Sequence, residues 1–356
     1  MAKYEIPHIP VVDLSKKQVK RKKELLTNEV KQIEIKDKND ISNLVDSFAE
    51  SSFEARNIGL AAQLYYKKLH TDTSIIWSLS GSIFSAGLRQ ITIDSIRDNH
   101  VDALVCTGAL FEQDMLEALG HKHYVCNPLQ NDSELQSLYI DRIYDHLLDE
   151  VALRQVDLTF KKISENIPEG NYSSREFMKI CGQWLSQTKG VKDSVMQAAF
   201  EEDIPIFIPA INDCSIGIGL AMQQKERDGM TIDSIKDLKE IAFMKSKCGE
   251  SGIIIVGGGV PKNYAQDAVV MAEMLGFDVE KHKFGIQIST ADLRDGGLSG
   301  STLKEAISWG KNDKVMEEIM VWGEATVFFP LLIGYINQKM KNKKRKGRKL
   351  SNIFQS

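Results

Sequence analysis

Two hydrophobic patterns alternate along the chain, and their alternation predicts the fold class. Short apolar runs bounded by Gly, Ser, Thr or Pro are typical of strands that are buried on both faces of a parallel sheet. Longer segments with apolar residues three and four positions apart are typical of amphipathic helices. The predicted strands are Ser74–Leu79, Ala103–Cys106, Ile204–Ile208, Ile253–Val256 and Ile286–Ile288. The predicted helices are Ile41–Phe48, Ile58–Leu69, Gly87–Arg97, Phe111–Leu119, Val191–Phe200, Ile232–Met244 and Tyr264–Leu275.

Strands that alternate with helices of these lengths predict an α/β fold, with a mostly parallel sheet and helices on both faces. Asn131–Asn171 is polar and is predicted to be a helical insertion or connector. We expect a Lys-rich basic arm over residues 1–40, a single large catalytic domain over 41–340 and a basic tail over 341–356.

Composition and charge limit the classes of function. With 42% hydrophobic and 26% charged residues among 356, the chain is ordinary globular material, which excludes disordered, collagen-like and disulfide-scaffold proteins. Its net charge of −4 argues against a nucleic-acid-binding protein. Residues 341–349 are the exception, because they hold seven of the 45 Lys and Arg residues. We expect a solvated, disordered tail there, with weak contact to RNA or ribosomes as the alternative.

The cysteines and the apolar runs indicate the compartment. Five cysteines are scattered without C-x-x-C spacing, which favours a reducing cytoplasm over a zinc site or a disulfide framework. The chain begins without an apolar leader, and no run approaches the ~18 apolar residues of a membrane span. We therefore expect a cytoplasmic protein without a metal site or a membrane partner.

Four predicted strand ends carry small residues that suit a phosphorylated ligand. They are Ser80–Gly87, Thr107–Ala109, Asn212–Gly217 and Gly257–Lys262. Small residues let backbone N–H groups approach a phosphate, and a following helix N-terminus adds partial positive charge. Each loop alone is compatible with a plain turn, whereas four together favour a nucleotide or phosphorylated ligand. The sequence lacks both the G-x-G-x-x-G fingerprint and the P-loop, so neither of these standard nucleotide motifs is present.

The segment from Thr290 to Lys311 is the richest in chemistry, and it has two interpretations. In the first, it is a surface loop that leads into a helix ending at Gly310, with Lys311 in solvent. In the second, Lys311 is sequestered near the face of Trp309 and the carboxylate of Glu305. A sequestered lysine can become a Schiff-base nucleophile, and aromatic faces and carboxylates bind amines. The second interpretation suits imine chemistry on a polyamine.

Ser308–Lys311, with the sequence Ser-Trp-Gly-Lys, resembles the catalytic-lysine motif of the deoxyhypusine synthase family. The resemblance runs in order from about Arg56 to Tyr335. Its other matches are Gly87–Arg89, Thr107–Ala109, Pro209-Ala210 with Asp213, Gly257–Lys262, Gly300 and Ala325–Leu332. So many ordered matches are far more specific than a single motif.

The resemblance implies a Rossmann-like homotetramer that binds NAD. Members of the family dehydrogenate spermidine, release 1,3-diaminopropane and hold the aminobutyl group as an imine on the lysine. That group passes to a lysine of an initiation factor 5A protein in deoxyhypusine synthases. It passes to putrescine in the homospermidine synthases of the same lineage.

The resemblance also assigns residues by position. Lys311 is the imine-forming residue, Trp309 stacks on the polyamine and Glu305 receives an amine end. The other substrate-binding candidates are Glu112, Asn263, Asp267, Gly296 and Gly297. The NAD-binding candidates are Ser82, Ser85, Thr107, Gly108, Asp213, Gly258, Thr290, Ala291, Glu324 and Ala325.

Several positions depart from the family pattern. Asn263 stands where the family has a histidine that contacts substrate and helps in proton transfer, and Asn cannot act as a general base near neutral pH. Asp267 adds a carboxylate one helical turn later. Acidic residues of the family are replaced by Gln113, Ile218 and Leu298, and its usual Asp is replaced by Glu324.

Three functions follow from these observations. The first is NAD-dependent aminobutyl transfer from spermidine through Lys311 to a lysine of an initiation factor 5A protein. The second is homospermidine synthesis, with putrescine or another small amine as the acceptor. The third is a non-catalytic NAD-binding regulator, which the missing histidine suggests and the retained lysine opposes.

Overall fold

Six parallel strands form the central sheet in the computed structural model, which describes residues 14–26, 30–33, 35 and 40–355. The strands of these residues are β1 Ser74–Leu79, β2 Ala103–Cys106, β3 Tyr124–Val125, β4 Ile140–Ile143, β5 His146–Asp149, β6 Gly170–Tyr172, β7 Ile206–Phe207, β8 Met230–Ile232, β9 Ser251–Val256, β10 His282–Ser289 and β11 Asn312–Trp322. The order across the sheet is β7-β2-β1-β9-β10-β11. Numbered among themselves, these six strands read 3-2-1-4-5-6, the order of the Rossmann fold.

Helices cover both faces of this sheet, as predicted. The helices of the described residues are α1 Lys16–Leu25, α2 Ile41–Ala49, α3 Phe53–Leu69, α4 Arg89–Arg97, α5 Gly108–Ala118, α6 Asp132–Ser137, α7 Glu150–Glu165, α8 Ser174–Gln187, α9 Val195–Glu201, α10 Ser215–Glu226, α11 Ser234–Lys247, α12 Gly259–Met274, α13 Glu305–Ser308 and α14 Ala325–Met340. No helix among the described residues is both long and apolar enough to cross a membrane.

Alternate residues of the central strands pack into two separate cores, one on each face. Ile254 and Val256 join the larger core, which includes α3, α5, α8 and α14, whereas Ile253 and Ile255 join the smaller core beneath α11 and α12. All six residues of β9 are buried. The continuous apolar run in the sequence therefore reflects burial on both faces, which confirms the α/β prediction.

The segment Asn131–Asn171 begins with the predicted helix, α6, but residues 140–149 differ from the helical prediction. β4 and β5 form an antiparallel hairpin, which β3 extends to a three-stranded sheet. Tyr144, at the hairpin turn, has a φ of 52°, in the left-handed region that a continuous helix excludes. The second half is helical, because Asp149 caps α7 by accepting a hydrogen bond from the Val151 N–H. The polar hairpin residues concealed this small sheet.

The edge strand β11 is absent from the predicted elements. It pairs with β10 over most of its length, but many of its residues are half-exposed or exposed. Lys314, Glu317 and Glu318 lie within it. Charged side chains are common on edge strands because they discourage pairing with other chains. The same charges weaken the apolar pattern from which a strand is predicted.

The C-terminal segment also differs from the solvated, disordered tail that its composition predicts. Arg345 is largely buried, and its guanidinium donates to both carboxylate oxygens of Asp102, at 2.6 and 2.9 Å. The backbone N–H of Arg348 donates to the same Asp102 carboxylate at 3.0 Å, and the Arg348 side chain forms an ion pair with Asp72. A single 3₁₀ turn, Leu350–Phe354, then packs its Leu350 into the smaller core. Charge pairing with a buried aspartate explains the difference.

The described part of the N-terminal arm is an exposed helix. α1 contains no buried residue, and a capping box between Ser15 and Gln18 starts it. The other arm residues, 1–13, 27–29, 34 and 36–39, lie outside the described residues.

Candidate functional site

A cleft of about 1150 Å³ lies along the carboxyl ends of β1, β9, β10 and β11. The chain order of the sheet reverses between β1 and β9, and ligands of open α/β sheets bind at such a switch point. Small and polar residues make up most of its lining. The lining residues come from the loops after these four strands, from the end of β10 and from the small sheet of β3, β4 and β5. The cleft exceeds the roughly 300–1,000 Å³ of most small-molecule sites, which leaves room for an extended ligand.

Two glycines after β9 let this loop pack closely against the loops that follow β1 and β10. Gly257 has a φ of 78°, and a Cβ there would lie 2.4 Å from the Ser80 hydroxyl oxygen. A Cβ on Gly258 would lie 2.4 Å from the Ser299 Cα. The Gly258 N–H donates to the Ser80 hydroxyl at 2.8 Å, which ties the β9 loop to the β1 loop. This glycine turn at the start of α12 lines the cleft, and the close approach of its backbone to a phosphate stays a prediction.

The predicted residues Ser82 and Ser85 line the cleft beside a histidine that the sequence analysis did not select. The Ser85 hydroxyl donates to the Ser82 carbonyl at 2.8 Å, and His146 Nε2 lies 2.9 Å from the same hydroxyl oxygen. Both serines belong to the loop after β1, whose segment Phe84–Leu88 is kinked at Gly87, where φ is 95°. Only the hairpin brings His146 here, so its position had no local sequence signal.

Four more predicted residues line the opposite side of the cleft. Thr290 and Ala291 follow β10, and the Ala291 N–H donates to the Ser289 hydroxyl at 3.1 Å. Glu324 and Ala325 begin α14, where the Glu324 carboxylate accepts a hydrogen bond from the Thr326 N–H at 2.8 Å. The start of this 16-residue helix therefore faces the cleft.

Thr107, Gly108, Glu112 and Asp213 form a separate group at the N-termini of α5 and α10. The Ser215 N–H donates to the Glu112 carboxylate at 2.9 Å. Burial raises the pKa of Glu112, and the nearby negative charges of Asp157 and Asp213 raise it further. Gln113 connects this group to the cleft, because its side-chain oxygen accepts a hydrogen bond from the Ser85 N–H at 3.0 Å.

The backbone of this group is closely packed. A Cβ on Gly108 would lie 2.3 Å from the Cys214 Sγ, so only glycine fits. The Thr107 hydroxyl is buried without a hydrogen-bond partner among the described residues. A buried hydroxyl without a hydrogen-bond partner costs free energy.

Lys311 is buried and held by two side chains of α12. Its Nζ lies 2.8 Å from Asp267 Oδ1 and 2.8 Å from Asn263 Oδ1. The Asn263 Nδ2 donates to Asp267 Oδ2 at 2.6 Å, which closes a ring of three side chains. Lys311 itself is only 9% exposed. The structure therefore favours the sequestered lysine over the solvated one.

Trp309 and Glu305 lie at the rim of this group. The Lys311 Nζ is 5.5 Å from the centre of the Trp309 ring, within the range of a cation–π contact. Trp309 is 66% exposed, so most of its face remains accessible to an amine. Glu305 is exposed at the start of α13. Its carboxylate acts electrostatically on Lys262, a neighbour of Lys311.

A glycine-rich loop over residues 296–301 separates the cleft from Lys311. Lys262 is almost fully buried and donates to the Leu298 carbonyl at 3.0 Å and to the Ser301 hydroxyl at 2.9 Å. Burial and the nearby charge of Lys311 lower the pKa of Lys262 to about 8, although Glu305 acts in the opposite direction. On the other side of the loop, Ser299 lines the cleft, and its carbonyl accepts a hydrogen bond from the Gln287 side chain at 2.9 Å.

Gly296 and Gly297 occupy an exposed turn of this loop. The Gly297 N–H donates to the Asp295 carboxylate at 2.6 Å, and Gly296 has a φ of 74°. The structure thus groups Asn263, Asp267, Trp309 and Lys311 closely and leaves these two glycines at the periphery. Lys262 was visible in the sequence only as part of the glycine motif, and its role depends on the folded loop.

Comparisons with known proteins match nearly the whole chain. A family model described as deoxyhypusine synthase matches residues 43–336. The deoxyhypusine synthase-like protein of Chlorobaculum parvum is 45% identical over 307 residues, covering 85% of this chain and 87% of that protein. The protein of the same description from Coxiella burnetii is 43% identical over 340 residues, covering 94% of this chain and 96% of that one.

A solved structure agrees with the fold. The crystal structure of an Entamoeba histolytica protein assigned as a deoxyhypusine synthase has a TM-score of 0.60 to this chain at 17% identity. It covers 90% of this chain and 99% of its own. At that identity the likeness speaks to the fold alone, whereas the family model and the relatives extend across the lysine motif. On these grounds, the chain belongs to the deoxyhypusine synthase family.

Proposed function

We propose that this protein transfers an aminobutyl group from spermidine, with NAD, through an imine on Lys311 to an acceptor amine. The observation that carries the proposal is the buried Lys311, 2.8 Å from Asp267 and beneath the face of Trp309. A lysine held in this way is preorganised for attack on an imine carbon. Family membership supplies the reaction class.

The rim residues suit an amine substrate. Trp309 offers an exposed aromatic face, and Glu305 offers an exposed carboxylate on the same short segment. Cations bind aromatic faces with about 0.5–2 kcal/mol, and carboxylates add charge-assisted hydrogen bonds. Spermidine, which is cationic along its length, suits this pair of groups.

The cleft suits the dinucleotide. Its glycine turn and the exposed start of α14 are features that receive phosphates and ribose hydroxyls. The unpaired hydroxyl of Thr107 lies in the neighbouring group at the N-terminus of α5. The residues that would hold NAD are Ser82, Ser85, Thr107, Gly108, Asp213, Gly258, Thr290, Ala291, Glu324 and Ala325. When bound, NAD supplies the oxidation of the amine, while the chain itself orients the amine and excludes water.

Borohydride trapping tests the proposal. Protein is incubated with NAD and spermidine labelled in the aminobutyl group, reduced and digested. We expect the label on the peptide that contains Lys311 and no label in Lys311→Ala. Lys314→Ala, which removes an exposed lysine three positions away, serves as the matched control and should retain the label. Label on another lysine would overturn the assignment of Lys311.

The acceptor is tested in the same reaction. An initiation factor 5A protein is the first acceptor to be supplied, and putrescine is the second. Labelled protein identifies a deoxyhypusine synthase, and labelled homospermidine identifies a homospermidine synthase. NAD binding without label on any acceptor or on Lys311 would instead indicate a non-catalytic regulator.

A further inference from the structure

We propose that Asp267 is the counterion of Lys311, and that it stabilises the protonated imine that forms on that lysine. This inference rests on the proposed function, because it concerns the lysine that forms the imine. It assigns a catalytic carboxylate at a position that is one helical turn from the site where the family has its histidine.

The geometry is that of a specific ion pair. Asp267 Oδ1 lies 2.8 Å from the Lys311 Nζ, and the two side chains are 26% and 11% exposed. Partly buried pairs at this distance are screened less by salt than surface pairs. The Lys311 backbone is fixed as well, because its carbonyl accepts a hydrogen bond from the His282 N–H.

Asn263 fixes the direction of the carboxylate. Its Nδ2 donates to Asp267 Oδ2, and its Oδ1 accepts a hydrogen bond from the lysine. The reversed amide would place its N–H₂ group against an ammonium and its oxygen against a carboxylate, so only one orientation is favourable. Asn263 therefore positions Asp267, and it has no proton of its own to exchange.

The other charges near the lysine cannot replace Asp267. Lys262, also on α12, is cationic and disfavours a second positive charge. Lys281, before β10, places its Nζ 3.8 Å from the position a Cβ would take on Gly310. Glu305, on α13, is exposed at the rim. Among these groups, Asp267 is the carboxylate at hydrogen-bond distance from Lys311.

In the transfer step, Asp267 takes up one proton and later returns it. The Lys311 ammonium passes one proton to Asp267, and the resulting amine attacks the carbon of the protonated substrate imine. A C–N bond to Lys311 forms, and the C–N bond to 1,3-diaminopropane breaks. Asp267 returns the proton to the departing amine, so no electrons are gained or lost. The carboxylate then faces a protonated imine on Lys311, which is the form that an acceptor amine attacks most readily.

The test measures the protonation of the imine without NAD or spermidine. [1-¹³C]Butanal, whose chain has four carbons, forms an imine with Lys311, and the ¹³C shift of the imine carbon reports its protonation as the pH is changed. Lys311→Ala identifies the signal. An imine of butanal with butylamine in the same buffer is the reference.

We expect the wild-type midpoint to lie above that of the butylamine imine. An opposite charge within ~4–6 Å moves a pKa by about one to three units, so Asp267→Asn should lower the midpoint by that amount. Asp267→Glu should restore most of it. Asp313→Asn, which removes the nearby Asp313–Lys283 pair at 2.6 Å, is the matched control and should leave the midpoint unchanged.

Two results would overturn the inference. One is a wild-type midpoint at or below that of the butylamine imine, which requires no variant. The other is an Asp267→Asn midpoint within a few tenths of a unit of wild type. Failure of the proposed function is distinguished from both, because it would appear as absent transfer from spermidine while the imine midpoint still depends on Asp267.

Discussion

Two histidines lie inside the fold in the neutral form. Burial, together with the charge of Lys245, lowers the pKa of His282 to about 3. Burial, together with the charge of Arg345, lowers the pKa of His100 to about 4. His282 is completely buried and contacts the Ser251 hydroxyl at 3.1 Å. It lies at the start of β10, directly beside the backbone of Lys311. Its protonation state therefore bears on both stability and the site.

We expect the protein to lose stability as the pH falls below the ordinary histidine pKa of 6.5. The unfolded chain binds protons on these histidines there, whereas the folded chain does not, so the free energy of unfolding decreases with falling pH. For His282 the loss should reach about 2–3 kcal/mol near pH ~4.5. Urea unfolding at several pH values measures it.

His282→Gln retains a donor and an acceptor at this position and cannot be protonated in this range. This variant should therefore lose less stability than wild type between pH ~6.5 and ~4.5. His70→Gln, which alters an exposed histidine, is the control and should follow wild type. Equal pH dependence in wild type and His282→Gln would contradict the expectation.

The residues around Lys311 show which parts of the site can be predicted from the sequence. The motif places Lys311 and Trp309, and helical spacing places Asn263 and Asp267 on one face of a helix. The ion pair itself requires the loop after β10 to fold back over α12. That return path depends on Lys262 holding Leu298 and Ser301, and such tertiary contacts leave no periodic pattern.

At the scale of elements, the C-terminal segment should be essential to stability. Arg345 neutralises Asp102, whose side chain is completely buried, and removal of one partner of a buried pair costs about 3–5 kcal/mol. We therefore expect Arg345→Ala to lower the free energy of unfolding by about that amount. Lys344→Ala, at an exposed neighbouring lysine, is the matched control and should change it by less than ~1 kcal/mol.

Chemical denaturation compares the three proteins. An equal midpoint for Arg345→Ala and wild type would mean that the Arg345–Asp102 pair contributes nothing to the free energy of unfolding. Asp102→Asn with Arg345→Ala completes the cycle, because removing both charges should cost less than removing Arg345 alone.

The elements that could not be predicted from the sequence are those whose local pattern is weak. By contrast, the strong apolar runs of the sequence predict β1, β2 and β9 within a few residues, because burial on both faces leaves a clear pattern. The β4–β5 hairpin and β11 are partly exposed, so their polar residues hide the alternation. The C-terminal turn depends on Asp102, which lies 243 residues earlier than Arg345. Local patterns cannot report partners at that distance.

At the scale of the whole molecule, the small sheet of β3, β4 and β5 beside the cleft leaves apolar side chains in solvent. Val125 is 92% exposed and Tyr144 is 72% exposed, and both line the cleft. Family membership suggests assembly, and we propose a homotetramer that covers these side chains. Light scattering should then give a mass of about 160 kDa, four times the 40.0 kDa of one chain.

Val125→Asp places a charge in the proposed contact and should reduce that mass. Met274→Asp, at an 82% exposed position on α12, is the control and should leave the mass unchanged. A wild-type mass of about 40 kDa would contradict assembly. If Val125→Asp has the same mass as wild type, the contact between subunits does not involve this part of β3.

The pairing of Arg345 with Asp102 also sets an order of events during synthesis. β1 and β2 leave the ribosome early, and domains begin to fold while later residues are still being added. The Asp102 carboxylate then lies inside the growing sheet, without its cation, until Arg345 has been added 243 residues later. A chain truncated after Met340 would contain every site residue named above, but Asp102 would be buried without its cation. Such a chain should unfold more readily and be degraded faster.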